Sequence, residues 1–308
     1  MPENNNPALP AGKPKIGLAL SGGSGRAIAH VGVLEVLKEN NIPIDYICAV
    51  SSGAVIAGSF ASGTLEQFRK DWLGMDKGFF YGLFELNTNR RGMLSTEKIE
   101  AWSNKYLSQM NLEESIPRLS FMAVDLNSKQ LCMLSMGDIR KAARASCAVP
   151  GLFEPVAWGN KLLADGGLIS VVPVKEVREM GADIVIGVDI LSRTHMFTKR
   201  TLYFRKGYQR LKTMVANSIG KVYAFDPPAQ KNHSVFSILG QAMDIVIGAD
   251  KRDEDYAPHC DVVISPEVKH FDKLGLGKSQ KMYEEGRHAA REALPLIRTL
   301  IKQKQNNS

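Results

Sequence analysis

Short, almost wholly apolar runs alternate with longer stretches of helical period along this chain. Lys15 to Leu20, Tyr46 to Val50, Leu119 to Asp125, Lys161 to Asp165, Ile184 to Ile190 and Asp261 to Pro266 read as strands. Runs of four to eight residues, rich in Val and Ile and apolar on both sides, suit strands buried on both faces. Ile28 to Asn40 has apolar residues at Ile28, Val31, Val33, Leu34 and Leu37, the spacing of a helix. Asn40-Asn41 and Pro43 close it. Leu65 to Leu73, Ser95 to Ser108, Gly137 to Ala145, Val174 to Met180, Ser234 to Ile247 and Ser279 to Lys302 read as further helices. Gln130 to Leu134 reads as the hairpin partner of the strand at 119–125. Asp76 to Gly92, with Phe79, Phe80, Tyr81 and Phe84, reads as irregular, a loop or lid. The opening β-loop-α-β-turn-α order predicts an α/β fold, a parallel sheet with helices on its faces.

The pattern shows no internal repeat, so one continuous domain over 15–302 is expected, with a split near 192 as the alternative. Residues 1–14 form a polar, proline-rich tail, and 303–308 a second polar tail. No run of 18 apolar residues occurs and the N-terminus has no apolar signal-peptide core. A cytoplasmic location is the resulting expectation. Composition is ordinary for a globular chain, 44% hydrophobic and 23% charged over 308 residues. The four cysteines, Cys48, Cys132, Cys147 and Cys260, are isolated, which argues against a zinc or dithiol site.

Charge changes the picture at one place. Between Arg193 and Lys231 nine basic residues stand against a single acidic one, Asp226, an excess larger than the whole chain's +7. The cations interleave with Leu202, Tyr203, Phe204, Tyr208 and Leu211. This suits either peripheral contact with an anionic membrane or an ordinary solvated helix face. The segment is read as part of a basic, partly helical insertion over about 193–250. No nucleic-acid module is recognisable, so nucleic acid is not expected as a partner.

Candidate chemistry lies in three loops that follow strands. Ser21-Gly-Gly-Ser-Gly-Arg-Ala27 opens a helix, where backbone N–H groups suit an anion. It fails the dinucleotide pattern, since the sixth position from Gly23 is Ile28, and no Gly-Lys-Ser/Thr follows for a phosphate loop. An oxyanion hole at Gly22, Gly23, Ser24 and Gly25, or a plain tight turn, remains. In Ala49-Val-Ser-Ser-Gly53 a serine sits where a strand meets a helix, most of the G-x-S-x-G nucleophile elbow with Ala49 for the first glycine. Ser51 also suits a helix N-cap. A serine nucleophile needs a base. The six histidines, His30, His195, His233, His259, His270 and His288, lie in helices or polar stretches. Asp165, which ends an apolar strand before Gly166-Gly167, is the better candidate, with an Asx turn as the alternative.

Four ordered blocks then carry a resemblance. They are Gly17 to Leu34, Ile44 to Ala54, Arg144 to Val156 and Leu163 to Leu168. Together they resemble the patatin-like phospholipases, in particular the compact bacterial members, over most of 15–295. The resemblance implies a three-layer α/β/α fold with a central, mainly parallel sheet. It also implies a Ser–Asp dyad without histidine, similar to that of cytosolic phospholipase A2. By position Ser51 would be nucleophile, Asp165 base and Gly22-Gly23-Ser24-Gly25 the oxyanion hole, with Arg26 matching the family's basic residue. The family pattern has glycine where this chain has Ser24, Ala27 and Ala49, and often asparagine after Asp165-Gly-Gly. The implied activity is that of a lipid acyl hydrolase, of phospholipase A or lysophospholipase type, acting on a lipid or acyl ester without metal or cofactor. A weakly catalytic lipid-binding scaffold, or a thioesterase or acyltransferase on the same dyad, are the alternatives. Nothing in the sequence specifies an oligomeric state.

Overall fold

The structure is a computed structural model that describes residues 13–83, 85–86, 92–191, 259–271 and 277–306. The expected tail before residue 13, the basic segment 193–231 and the helix expected at 234–247 lie outside the described residues. Strand β1 (Ile16–Leu20) leads through a 3-10 turn (Ser24–Ala27) into helix α1 (Ile28–Glu39). Strand β2 (Tyr46–Val50) leads directly into α2 (Ser52–Ala61), and α3 (Leu65–Leu73) follows.

The stretch expected to be irregular instead carries α4 (Lys77–Gly82) and β3 (Glu85–Leu86), which pairs with β4 (Leu94–Ser95). The Asp76 carboxylate starts α4 by accepting the N–H of Phe79 at 2.8 Å. Next come α5 (Glu97–Ser103), β5 (Arg118–Asp125), β6 (Gln130–Leu134) and α6 (Ile139–Ser146). Then follow β7 (Val156–Trp158), β8 (Lys161–Asp165), α7 (Val174–Glu179), β9 (Ile184–Val188), β10 (Val262–Ile264) and α8 (Ser279–Asn306). Helix α8 runs four residues beyond the expected end at Lys302. Lys, Gln and Asn at 302–306 carry it on where a polar tail was expected.

Eight strands form one sheet in the order β10-β9-β1-β2-β5-β8-β7, with β6 also on β5. Strands β10, β9, β1, β2 and β5 are mutually parallel, β6 and β8 run antiparallel to β5, and β7 is antiparallel to β8. The fold is therefore mixed α/β around a mostly parallel sheet, as the patatin-like pattern implies. Alternation along each strand feeds two cores. Leu18, Leu20, Ile47, Ala49, Ile186 and Val188 face the core that holds α1, α2 and α8. Ala19, Cys48, Val50 and Val185 face the one that holds α7 through Val174 and Val177.

The register of β5 positions the site. Its residues 118–122 pair with β2, and its residues 121–125 pair with β6. Those spans overlap at Phe121 and Met122, so β2 and β6 must lie on opposite sides of β5. Strand β8 pairs with residues 123–125, which β6 occupies on its own side, so β8 shares the side of β2. Val50 ends β2 against Met122, and Asp165 ends β8 against Ala123, the next residue. The two strands therefore arrive head-on from opposite directions and stop one step apart.

Candidate active site

Ser51 occupies the sharp strand-to-helix corner expected of an elbow. Its φ and ψ are 55° and −129°, positive φ at a non-glycine residue. Such a conformation costs about 1–3 kcal/mol and persists only where the surroundings hold it. Three features do so. The Ser51 N–H donates to Ser146 Oγ at 2.8 Å. The Ser51 carbonyl accepts the Ala54 N–H at 2.8 Å, starting α2. Gly53 lets the helix close on β1, since a Cβ there would sit 2.6 Å from the Ser21 carbonyl oxygen. The Ser51 side chain makes no cap hydrogen bond to α2. The N-cap alternative therefore does not describe its hydroxyl, which instead lies near enough to the Asp165 carboxylate to favour its charged form.

Asp165 is 6% exposed. Its Oδ1 accepts the Gly167 N–H at 2.8 Å, and its own N–H donates to the Ala148 carbonyl at 2.9 Å. Burial pushes its carboxyl up to about 6, against the nearby Ser51 hydroxyl and the Gly167 N–H, which favour the charged form. The Asx-turn alternative is realised in the bond to Gly167. The geometry departs from expectation in one respect. Asp165 does not sit at the carboxyl end of a parallel strand, because β8 is antiparallel to β5 and delivers the carboxylate from the opposite edge.

The glycine loop stands on the other side of Ser51. A Cβ built on Gly22 would lie 3.0 Å from Ser51 Cβ and 3.7 Å from its Oγ. The loop is anchored at both ends. The Ser21 N–H donates to the Val188 carbonyl at 3.1 Å and Ser21 Oγ accepts the Ile190 N–H at 3.1 Å. Ser24 is exposed with φ 57°, so this residue takes the left-handed conformation that glycine adopts freely. Ala27 is in the ordinary helical region at φ −58°. The Arg26 guanidinium is engaged with main-chain carbonyls. Its Nε and Nη2 donate to the carbonyl of Phe271, and Nη2 also to that of Lys269 at 3.0 Å. Arg26 therefore ties the loop to the segment at 269–271.

His30 is buried and its Nε2 lies 2.9 Å from the Ser21 carbonyl, so Nε2 carries the proton. Burial lowers its pKa to about 4, which leaves it a neutral brace under the loop. His288 is on the surface of α8, 3.6 Å from Glu292. His195 and His233 lie outside the described residues. Among the described residues no group of His, Cys, Asp and Glu could hold a metal ion, and no helix is long and apolar enough to cross a membrane.

Sequence reasoning gave no role to two neighbours of the pair. Ser146 holds the Ser51 backbone, and the Cys147 thiol is buried near the Asp165 charge. Burial first, and then the Asp165 charge, push that thiol well above its usual range, so it is a neutral wall of the site. Both lie in the block Arg144 to Val156. That block was legible as a motif, but its contacts are tertiary.

The family model described as patatin-like phospholipase matches residues 18–178. An NTE family protein of Mycobacterium tuberculosis is 30% identical over 177 residues, 58% of this chain and 49% of that protein. A second from the same organism is 27% identical over 306 residues, 93% of this chain and 48% of its own length. A lysophospholipase of Debaryomyces hansenii is 28% identical over 193 residues, 57% of this chain and 12% of that one. This chain spans about half the length of the first of these curated relatives. Among solved structures, VipD from Legionella pneumophila aligns at TM-score 0.49 and 14% identity, covering 93% of this chain and 67% of its own. Human GIVD cytosolic phospholipase A2 aligns at 0.39 and 10%, covering 96% and 61%.

Proposed function

The chain belongs to the patatin-like phospholipase family, and from that premise we propose that it is a lipid acyl hydrolase of phospholipase A or lysophospholipase type, working through Ser51 and Asp165. The observation that carries the reading is a serine on a strained corner beside a buried carboxylate, the two delivered by strands that end one residue apart along β5. In this scheme Asp165 takes the hydroxyl proton as Ser51 Oγ attacks the ester carbonyl. The developing oxyanion meets backbone N–H groups of the loop at Gly22 to Gly25. The alcohol leaves with the proton held by Asp165, and an acyl-Ser51 ester remains. Water then enters and loses a proton to the same carboxylate as it attacks, and the acid is released as Ser51 Oγ takes that proton back. A base near pKa 6 suits this cycle, being mostly ionised at neutral pH yet basic enough to accept a proton.

A fluorophosphonate probe tests the assignment. The expected outcome is a single phosphonylated residue, Ser51, mapped by peptide mass spectrometry, with labelling and ester hydrolysis both lost in Ser51→Ala. Full esterase activity in a folded Ser51→Ala protein would end this reading.

A further inference from the structure

We propose that Ser146 is a positioning residue for Ser51, its hydroxyl holding the nucleophile's backbone in the conformation that aims Oγ at Asp165. This rests on the reading of Ser51 as nucleophile. Ser146 ends α6 and is wholly buried. Its single hydroxyl proton goes to the Met122 carbonyl at 2.7 Å, which leaves the oxygen lone pairs to accept the Ser51 N–H at 2.8 Å. Donor and acceptor are thus both committed, and the direction of each bond is fixed.

Met122 gives this bond its geometric force. It is the β5 residue opposite Val50, and its neighbour Ala123 is opposite Asp165. The Ser146 hydroxyl therefore ties the corner after Val50 to the point on β5 where β2 and β8 meet. Ala148, two residues on, completes the brace: its carbonyl accepts the Asp165 N–H at 2.9 Å. Ser146 and Ala148 thus hold the backbones of Ser51 and Asp165 from one short stretch.

The bond has a chemical consequence. A Ser51 N–H held by Ser146 is not available to an oxyanion, so stabilisation of that charge falls to the loop at Gly22 to Gly25. Without the hydroxyl the same part-buried N–H would lose its partner. The positive-φ corner would then lose the partner that offsets its strain. Relaxation of φ toward negative values swings Oγ away from the carboxylate, and a displacement on the order of 1 Å can cost about a hundredfold in rate.

The test compares Ser146→Ala with Ser146→Cys, which keeps the shape but offers a weaker acceptor. Readouts are kcat and KM on a soluble p-nitrophenyl ester, the fluorophosphonate labelling rate, thermal melting, and amide hydrogen exchange of Ser51 by NMR. In Ser146→Ala, kcat and labelling are expected to fall roughly 10- to 100-fold with KM within about twofold. Exchange at the Ser51 amide accelerates, and Ser146→Cys falls between wild type and alanine. A folded alanine variant with wild-type kcat, or with unchanged exchange at Ser51, overturns the proposal. So does a cysteine variant with full kcat beside an inactive alanine variant, which would make volume the cause. If the alanine variant does not fold, the cysteine variant decides: reduced kcat at wild-type melting supports the role, and wild-type kcat refutes it. Failure of the dyad reading is separate, because it appears as hydrolysis retained in Ser51→Ala.

Discussion

Replacing Asp165 with asparagine should abolish hydrolysis and, at neutral pH, make the protein more stable. The carboxyl is raised from 3.8 to about 6 on folding, chiefly by burial. Two pKa units correspond to about 3 kcal/mol between the protonation states. Because the folded pKa lies above the unfolded one, the folded chain holds a proton between about pH 4 and pH 6 that the unfolded chain has released. The stability of the wild type therefore falls as pH rises through that window, and above it the ionised carboxylate costs the full amount. Asparagine carries no charge. Its Oδ1 still accepts the Gly167 N–H that the carboxylate accepts at 2.8 Å. The gain of Asp165→Asn over wild type should be near zero at pH 4, grow between pH 4 and 6, and level off at up to ~3 kcal/mol at pH 7. At about 2 °C per kcal/mol for a chain of this size, that is a rise of roughly 6 °C in melting temperature. Scanning calorimetry at pH 4, 5, 6 and 7 reads it. The wild type's kcat/KM should rise with pH through about 6 as the base ionises, while the variant stays inactive at every pH. A stability difference that is independent of pH, or largest in acid, would refute the claim that burial of an ionised Asp165 is the cost.

Two further substitutions test the scaffold around that pair. Ser24→Gly should raise stability by about 0.5–1 kcal/mol in urea unfolding, because relief of the left-handed φ of 57° outweighs the extra freedom glycine adds to the unfolded chain. A loss of more than about 1 kcal/mol would show that the Ser24 side chain makes a contact worth more than its strain. Gly286→Ala should lower stability by about 3 kcal/mol in the same assay. A Cβ there would fall 2.0 Å from the Ala29 carbonyl oxygen, so α1 and α8 would have to separate. Activity per folded molecule should stay at the wild-type level, and an unchanged urea midpoint would mean that the helix crossing is looser than described.

The sequence carried the elements that depend on local pattern. The strand at Tyr46–Val50, the helix at Leu65–Leu73 and the strand at Lys161–Asp165 lie where apolar runs and breaks put them. Strand direction is a different kind of fact. A short apolar run reads the same whether its neighbour is parallel or antiparallel. Hence nothing in Lys161 to Asp165 told that β8 meets β2 head-on. Helix α4 was hidden because Gly78 and Gly82 weaken helical propensity, and its start rests on one Asp76 carboxylate bond. The brace at Ser146 was hidden because its partners lie 24 and 95 residues away.

The three departures from the family's glycines show the same division between local and tertiary information. As letters, Ser24, Ala27 and Ala49 look alike, each a glycine replaced by a slightly larger residue. Their backbones separate them. Ala27 sits at φ −58° at the start of α1, where alanine costs nothing and is the better helix former. Ala49 lies within β2, between Leu20 of β1 and Phe121 of β5, and its methyl joins the core instead of crowding the corner. Only Ser24 occupies a conformation that glycine would relieve, and it is exposed, with room for its side chain. The corner itself needs a small residue at Gly53, where the Ser21 carbonyl would be 2.6 Å from a Cβ, and the chain keeps glycine there. Which glycine of a motif is dispensable thus follows from φ and from the nearest backbone oxygen, and neither is visible in the sequence alone.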